Sequence, residues 1–150
     1  MHILTATVWT GGHLVLALTY LPQSLRAKDV GAIQSFEQRF EPIGLPALVL
    51  QIATGLWLAY AKQPDWGQWF GFSDPISSLI FIKLILSGLT LGLAVHAGLK
   101  LIPHLSPATL PALAWHIASV TVLSVAFVLV GVGLPFRWIL NLTALTDSGP

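Results

Sequence analysis

The charged side chains of this chain, seven Lys or Arg and six Asp or Glu, are gathered in short segments separated by long uncharged stretches. A helix needs about 20 mainly apolar residues to cross the hydrocarbon core of a bilayer. The uncharged stretches therefore predict an all-α integral membrane bundle with up-down-up-down topology. The four predicted membrane-spanning helices are Ile3–Leu21, Ile43–Ala61, Leu79–Leu101 and Pro111–Pro135.

The composition excludes several classes of protein. Charged residues make up 9% of the chain, against roughly 25% in soluble domains, which argues against a soluble enzyme. The net charge is only +1 and no basic run occurs, so we expect no nucleic-acid partner. The absence of Cys excludes disulfides, thiolate metal sites and covalent c-type haem attachment. Any metal must be held by His, Met, carboxylate or backbone groups.

The loops predict one domain and an orientation. We expect a four-helix domain over residues 1–140 and a polar tail over 141–150, with the first span retained because it lacks the basic start and cleavage site of a signal peptide. Within the first loop, Ile33, Phe36 and Phe40 follow a helical spacing, which predicts a short helix on the membrane surface. Basic residues are concentrated in that loop and at the adjoining end of the third span, so we expect both termini outside and the loop in the cytoplasm. These residues are Arg26, Lys28, Arg39 and Lys100.

Three of the five histidines, His13, His96 and His116, fall inside three different predicted spans. Polar side chains at membrane depth are costly and are functional candidates by default. If the third and fourth spans are antiparallel neighbours, His96 and His116 lie at similar depth, with His13 nearer the bilayer centre. Small residues at Gly11-Gly12 and at Gly88 and Gly92 predict room there for a flat cofactor or a partner helix.

Imidazole is a good ligand for haem iron and for copper. A b-type haem needs axial ligands on facing helices, small residues against the ring and an apolar pocket. His13, His96 and His116 are therefore predicted to hold a metal cofactor, most strongly haem b, with copper as the alternative. A Met-rich copper relay is absent because Met1 is the only methionine. The structural alternative is that these histidines only hydrogen-bond across helices.

Lys83 is the one charge placed well inside a predicted span, about one turn from its outer end. Together with His2 at the start of the first span, it predicts an outer polar site. There Lys83 would anchor an anionic group such as a haem propionate, and His2 would hold a metal or move a proton. The alternative is a lysine whose long side chain merely reaches the membrane surface.

Several short motifs resemble one family of small bacterial membrane proteins, which includes the copper-resistance protein D (CopD) type and the HemJ type of protoporphyrinogen oxidase. The opening His2, Trp9 and Gly11-Gly12 resemble the first helix of that family, and Tyr20-Leu21-Pro22 resembles its HemJ-type ending. The similarity extends through Phe36–Phe40, Thr54-Gly55, Lys83 and His96, and covers roughly residues 1–135.

The resemblance implies a four- or five-helix bundle in the bacterial inner membrane that holds haem b or copper. In the HemJ type, the positions of His2 and Lys83 would be functional. However, Gln23 stands where that type has Arg, and its following Tyr-His pair is missing. His13 and His116 are additional to the shared pattern, which favours a b-type cytochrome.

Three functions remain open at this point. The first is a membrane haem b protein that passes electrons to or from quinone or a periplasmic redox partner, and that would be a haem oxidoreductase if it is an enzyme. The alternatives are a CopD-type copper-uptake or copper-binding protein and a HemJ-like protoporphyrinogen oxidase. The lipid bilayer is the expected surrounding, and Gly88 and Gly92 would allow a homodimer.

Overall fold

A computed structural model of the chain describes the backbone of residues 1–72 and 74–146, and the side chains of residues 1–72 and 74–131. This part of the chain is helical and contains no strand. The helices are α1 (His2–Val15), α2 (Leu21–Ala27), α3 (Gly31–Lys62), α4 (Pro75–His96) and α5 (Leu110–Thr146). A π-helical turn, Leu16–Tyr20, joins α1 to α2, and another, Ala97–Leu101, extends α4.

Four of the described segments are long and apolar enough to cross a membrane, which confirms the predicted four-helix membrane bundle. Large apolar side chains cover the outside of the helices: Ile3 is 79% exposed, Leu18 74% and Trp57 72%. Such a continuous apolar exterior suits lipid rather than water. The four segments are His2–Ala27, Gly31–Lys62, Pro75–Leu101 and Leu110–Gly131.

The four spans follow the sequence order around the bundle, but the ring of contacts is open on one side. The first span packs mainly against α3 and α5, and α4 packs against α5, whereas α3 and α4 touch over only a short stretch. The order around the bundle is therefore α3, α1, α5, α4, with a gap between α3 and α4. We call the end formed by His2, Lys62 and Pro75 the His2 end, and the end formed by Ala27, Gly31 and Leu101 the Ala27 end.

Local chemistry explains where α4 begins. The Asp74 carboxylate accepts hydrogen bonds from the backbone N–H groups of Ile76 at 2.8 Å and Ser77 at 3.0 Å. These are otherwise unpaired donors of the first helical turn, so Asp74 is a typical N-cap. Pro75 at the first helical position loses no hydrogen bond there and has the required φ.

The predicted surface helix at Ile33–Phe40 does not exist as a separate element. Those residues form the first turns of α3, whose 32 residues span about 48 Å at about 1.5 Å per residue. Ile33 is fully buried against Leu16 and Leu21, so its side chain packs into the bundle core instead of lipid headgroups. Pro42 and Pro46 lie within the helix without ending it.

Two expectations from the sequence stay predictions. The division at residue 140 is one of them: α5 is described to Thr146, and residues 147–150 lie outside the described residues. The orientation is the other. The length and composition of the helices make the protein membrane-embedded, and these two properties do not state which side each end of the bundle faces.

Candidate functional site

The C-terminal end of α4 meets the first turns of α5 at two imidazoles. The rings of His96 and His116 have centroids 5.6 Å apart and are tilted by 40°. They lie at the same depth, as expected for antiparallel neighbours. His96 is exposed on the side of the bundle, whereas His116 is half-buried and points inward. The pair thus connects the lipid-facing surface with the interior.

His116 also lines a small cavity toward the Ala27 end, of about 90 Å³. His13 of α1 lines the same cavity, together with Glu37, Glu41 and Gly44 of α3. The Nε2 atom of His116 is buried and has no hydrogen-bond partner among the described residues. An unpaired buried nitrogen costs free energy unless something binds it. We call this cavity the imidazole chamber.

His13 is held in one tautomer by its own helix. Its Nδ1 atom lies 3.0 Å from the carbonyl oxygen of Trp9. A carbonyl oxygen can only accept, so Nδ1 carries the proton and Nε2 keeps its lone pair. A hydrogen bond from the Thr121 hydroxyl to the backbone oxygen of His13, at 3.3 Å, ties this part of α1 to α5. His13 therefore offers a ligating nitrogen beside the chamber.

The predicted slot at Gly12 is already filled by an aromatic ring. A Cβ atom added at Gly12 would overlap Cζ and Cε2 of Phe40, and one added at Gly44 would lie 2.5 Å from Cε1 of the same ring. Phe40 is thus seated between two glycines. It also contacts His13 edge-on at 5.9 Å and stacks on Phe36 at 5.3 Å between ring centroids.

Whether haem b can bind between these histidines depends on the space around them. Ligand and cofactor pockets are typically about 300 to 1,000 Å³, whereas the cavity beside His13 and His116 has about 90 Å³. Phe40 occupies the place beside Gly12 where the ring was expected. The geometry therefore does not support haem b between these histidines.

A second and larger cavity, of about 680 Å³, lies at the His2 end in the gap between α3 and α4. His2 and Lys83, the two residues of the predicted outer site, both line it. The Nδ1 atom of His2 is 3.0 Å from the Thr54 hydroxyl oxygen on α3. The structure thus places His2 and Lys83 at one cavity, well separated along the bundle from the His96 and His116 pair. We call it the His2 cavity.

Sequence reasoning missed four buried polar residues in the deep wall of the His2 cavity. The hydroxyls of Thr90 and Ser124 are isolated polar groups in apolar helices, and such residues usually bond back to their own helix. In this protein they have no hydrogen-bond partner among the described residues, and neither do Trp9 Nε1 and Gln51 Oε1. The one available signal was a hydroxyl at membrane depth on two neighbouring spans.

The remaining predicted features are a metal cluster, His104 and the glycine pair, of which Gly88 lines the His2 cavity. No set of three or more His, Asp or Glu converges on a metal position within the described residues. His104 is exposed, and its ring hydrogen-bonds to the Lys100 carbonyl oxygen at 3.2 Å. Gly88 and Gly92 have no neighbouring atom within 4 Å of an added Cβ in the same part of the structure, so a homodimer through that face stays a prediction.

Comparison with known protein families supports an assignment for this chain. The family model described as copper resistance protein D matches residues 34–134. This region contains Lys83, His96 and His116, whereas His2 and His13 lie before it. No curated protein matches the chain, and no solved structure does.

Proposed function

The chain belongs to the copper resistance protein D (CopD) family, and we propose that it binds copper ions within the membrane at the imidazoles of His96 and His116. Family membership and the four apolar helices make it a membrane-embedded protein related to copper resistance. The proposal adds the site. The observation that carries it is the ring pair at 5.6 Å, with a buried and unpartnered Nε2 atom on His116.

The donor chemistry at this pair supports copper. Imidazole nitrogens bind copper well, and the chain has no Cys and only one Met. We propose that His96 and His116 are the two ligands and that His13, on the wall of the imidazole chamber, is the next nitrogen that the ion meets. The Glu37 and Glu41 carboxylates on the chamber wall would stabilise the positive charge of the ion.

The arrangement also supports movement of copper rather than permanent storage. His96 is exposed at the side of the bundle, while His116 and His13 line an internal chamber. Two ligands hold a cation less firmly than the closed four-ligand set of a structural metal site. We propose that the ion passes from His96 to His116 and His13, and leaves near the carboxylates at the Ala27 end. Copper is thus the cargo of the protein.

The direct test is a copper titration of the purified, tag-free chain in neutral detergent against a coloured competing chelator. We expect binding that saturates at one copper ion per chain and removes the ion from the chelator. An absorbance spectrum of the same sample is recorded before copper is added. A chain that takes no copper from the chelator would refute the proposal. A Soret band with split α and β bands would instead favour the haem b electron carrier, with a quinone or periplasmic redox partner.

A further inference from the structure

The lining of the His2 cavity is positively charged, which is unfavourable for a metal cation. Lys83 and Lys62 both line it, and no Asp or Glu does so among the described residues. Like charges that share one cavity repel each other. The lining is otherwise mainly apolar, with side chains such as Leu79 and Phe127. A bound negative charge would relieve the repulsion between the two lysines.

Four residues of the deep wall of this cavity carry a polar atom that has no hydrogen-bond partner among the described residues. The four residues are each more than nine-tenths buried: Trp9 is 5% exposed, Gln51 6%, Thr90 4% and Ser124 2%. The indole N–H and the two hydroxyls are donors, and the Gln51 oxygen is an acceptor. Buried polar atoms normally have partners, and leaving one unpaired costs roughly 1 to 3 kcal/mol. These atoms are closed off from the cavity space, so a ligand in the cavity can pair with them only once their side chains turn toward it.

The size and position of the cavity limit what can enter. Its volume of about 680 Å³ lies within the range of small-molecule pockets. Its walls come mostly from α3 and α4, which barely touch each other, so the cavity lies where the bundle is least closed. Lys62 and Ile76, at the ends of these two helices, line its outer part. A molecule can therefore enter from the membrane surface or sideways from the lipid.

We propose that the His2 cavity binds an amphipathic organic anion. Its carboxylate or phosphate group pairs with Lys83 and Lys62, its apolar body lies between α3 and α4, and acceptor oxygens along that body take hydrogen bonds from Trp9, Thr90 and Ser124. This second site is separate from the copper site and holds ligands of the opposite charge. The anion comes either from the bilayer, as a lipid with an acidic head, or from solution, as an organic acid.

The test uses the full chain in neutral detergent, with quenching of tryptophan fluorescence as the readout because Trp9 lines the cavity. The probes are dibromostearate for the lipid source, its uncharged methyl ester, and naphthoate for the water-soluble source. We expect saturable quenching by one of the two acids but not by the ester, and we expect Trp9→Phe to lose that component. Saturation by dibromostearate assigns the site to lipid, and saturation by naphthoate alone assigns it to soluble acids.

Two variants decide whether the lysine and the deep hydroxyls bind the anion. Lys83→Gln removes the charge and should weaken binding by about tenfold or more, whereas Lys100→Gln, outside both cavities, should not. Thr90→Val removes one unpaired hydroxyl and should weaken binding severalfold without lowering the melting temperature of the unliganded chain. Equal quenching by acid and ester, no saturable quenching by either acid, or unchanged binding by Lys83→Gln would overturn the proposal. Copper titration of the same variants reports separately on the copper site.

Discussion

Replacing His116 with alanine is expected to lower the copper affinity of the chain by about tenfold or more. The substitution removes one of two imidazoles that face each other at 5.6 Å, and a tenfold loss corresponds to about 1.4 kcal/mol of binding free energy. The melting temperature should change little, because the Nε2 atom of His116 has no hydrogen-bond partner among the described residues. The competition titration with the purified variant measures the loss.

The matched control is His104→Ala. His104 is exposed, and its ring hydrogen-bonds to a backbone oxygen one turn earlier, so this variant should bind copper as the unchanged chain does. His96→Ala should resemble His116→Ala, because both rings belong to the same pair. If folded His116→Ala and His96→Ala proteins retain full copper affinity, the pair is not the copper site.

Gly12→Ala should destabilise the bundle, while Gly11→Ala, one residue away, should not. An added Cβ at Gly12 overlaps the Phe40 ring, whereas nothing lies within 4 Å of one at Gly11 in the described structure. Either substitution gains up to about 1 kcal/mol of helix propensity. At Gly12 this gain is outweighed by overpacking, which costs about 1 to 3 kcal/mol. Thermal unfolding in detergent should therefore show a lower melting temperature for Gly12→Ala than for Gly11→Ala.

A second substitution identifies the cause of that loss. Phe40 cannot simply move aside, because Gly44 and Phe36 lie against the same ring. Phe40→Leu shortens the side chain, so the double variant Gly12→Ala/Phe40→Leu should lose less stability than the sum of its single variants. Equal melting temperatures for Gly11→Ala and Gly12→Ala would show that Phe40 is not seated against α1.

The number of membrane spans and the histidine pair could be predicted from the sequence for simple physical reasons. Charges are too costly inside a bilayer to occur often, so their spacing gives the spans directly. An up-down connection makes α4 and α5 antiparallel. Counting residues along each helix then places His96 and His116 at the same depth.

Other features depend on packing that the sequence does not state. The spans follow the sequence order around the bundle, but spacing along the chain does not fix how closely two neighbouring spans pack, so the gap between α3 and α4 and the cavity inside it were not predictable. The apolar residue Ile33 suits a membrane surface and a bundle core equally well, and only its contact with Leu16 and Leu21 decides between them. Gly12 suggested room for a cofactor, but the ring that fills this room comes from Phe40, in another helix.

X-ray absorption at the copper edge of the copper-loaded, tag-free chain tests most directly whether imidazoles hold the ion. With no Cys in the chain and Met1 as the only Met, we predict nitrogen or oxygen neighbours, the multiple-scattering pattern of imidazole and no sulfur. His96→Ala and His116→Ala should each weaken the imidazole pattern, and His104→Ala should leave it unchanged. A copper spectrum without an imidazole contribution, or one that both His96→Ala and His116→Ala leave unaltered, would contradict copper binding at this pair.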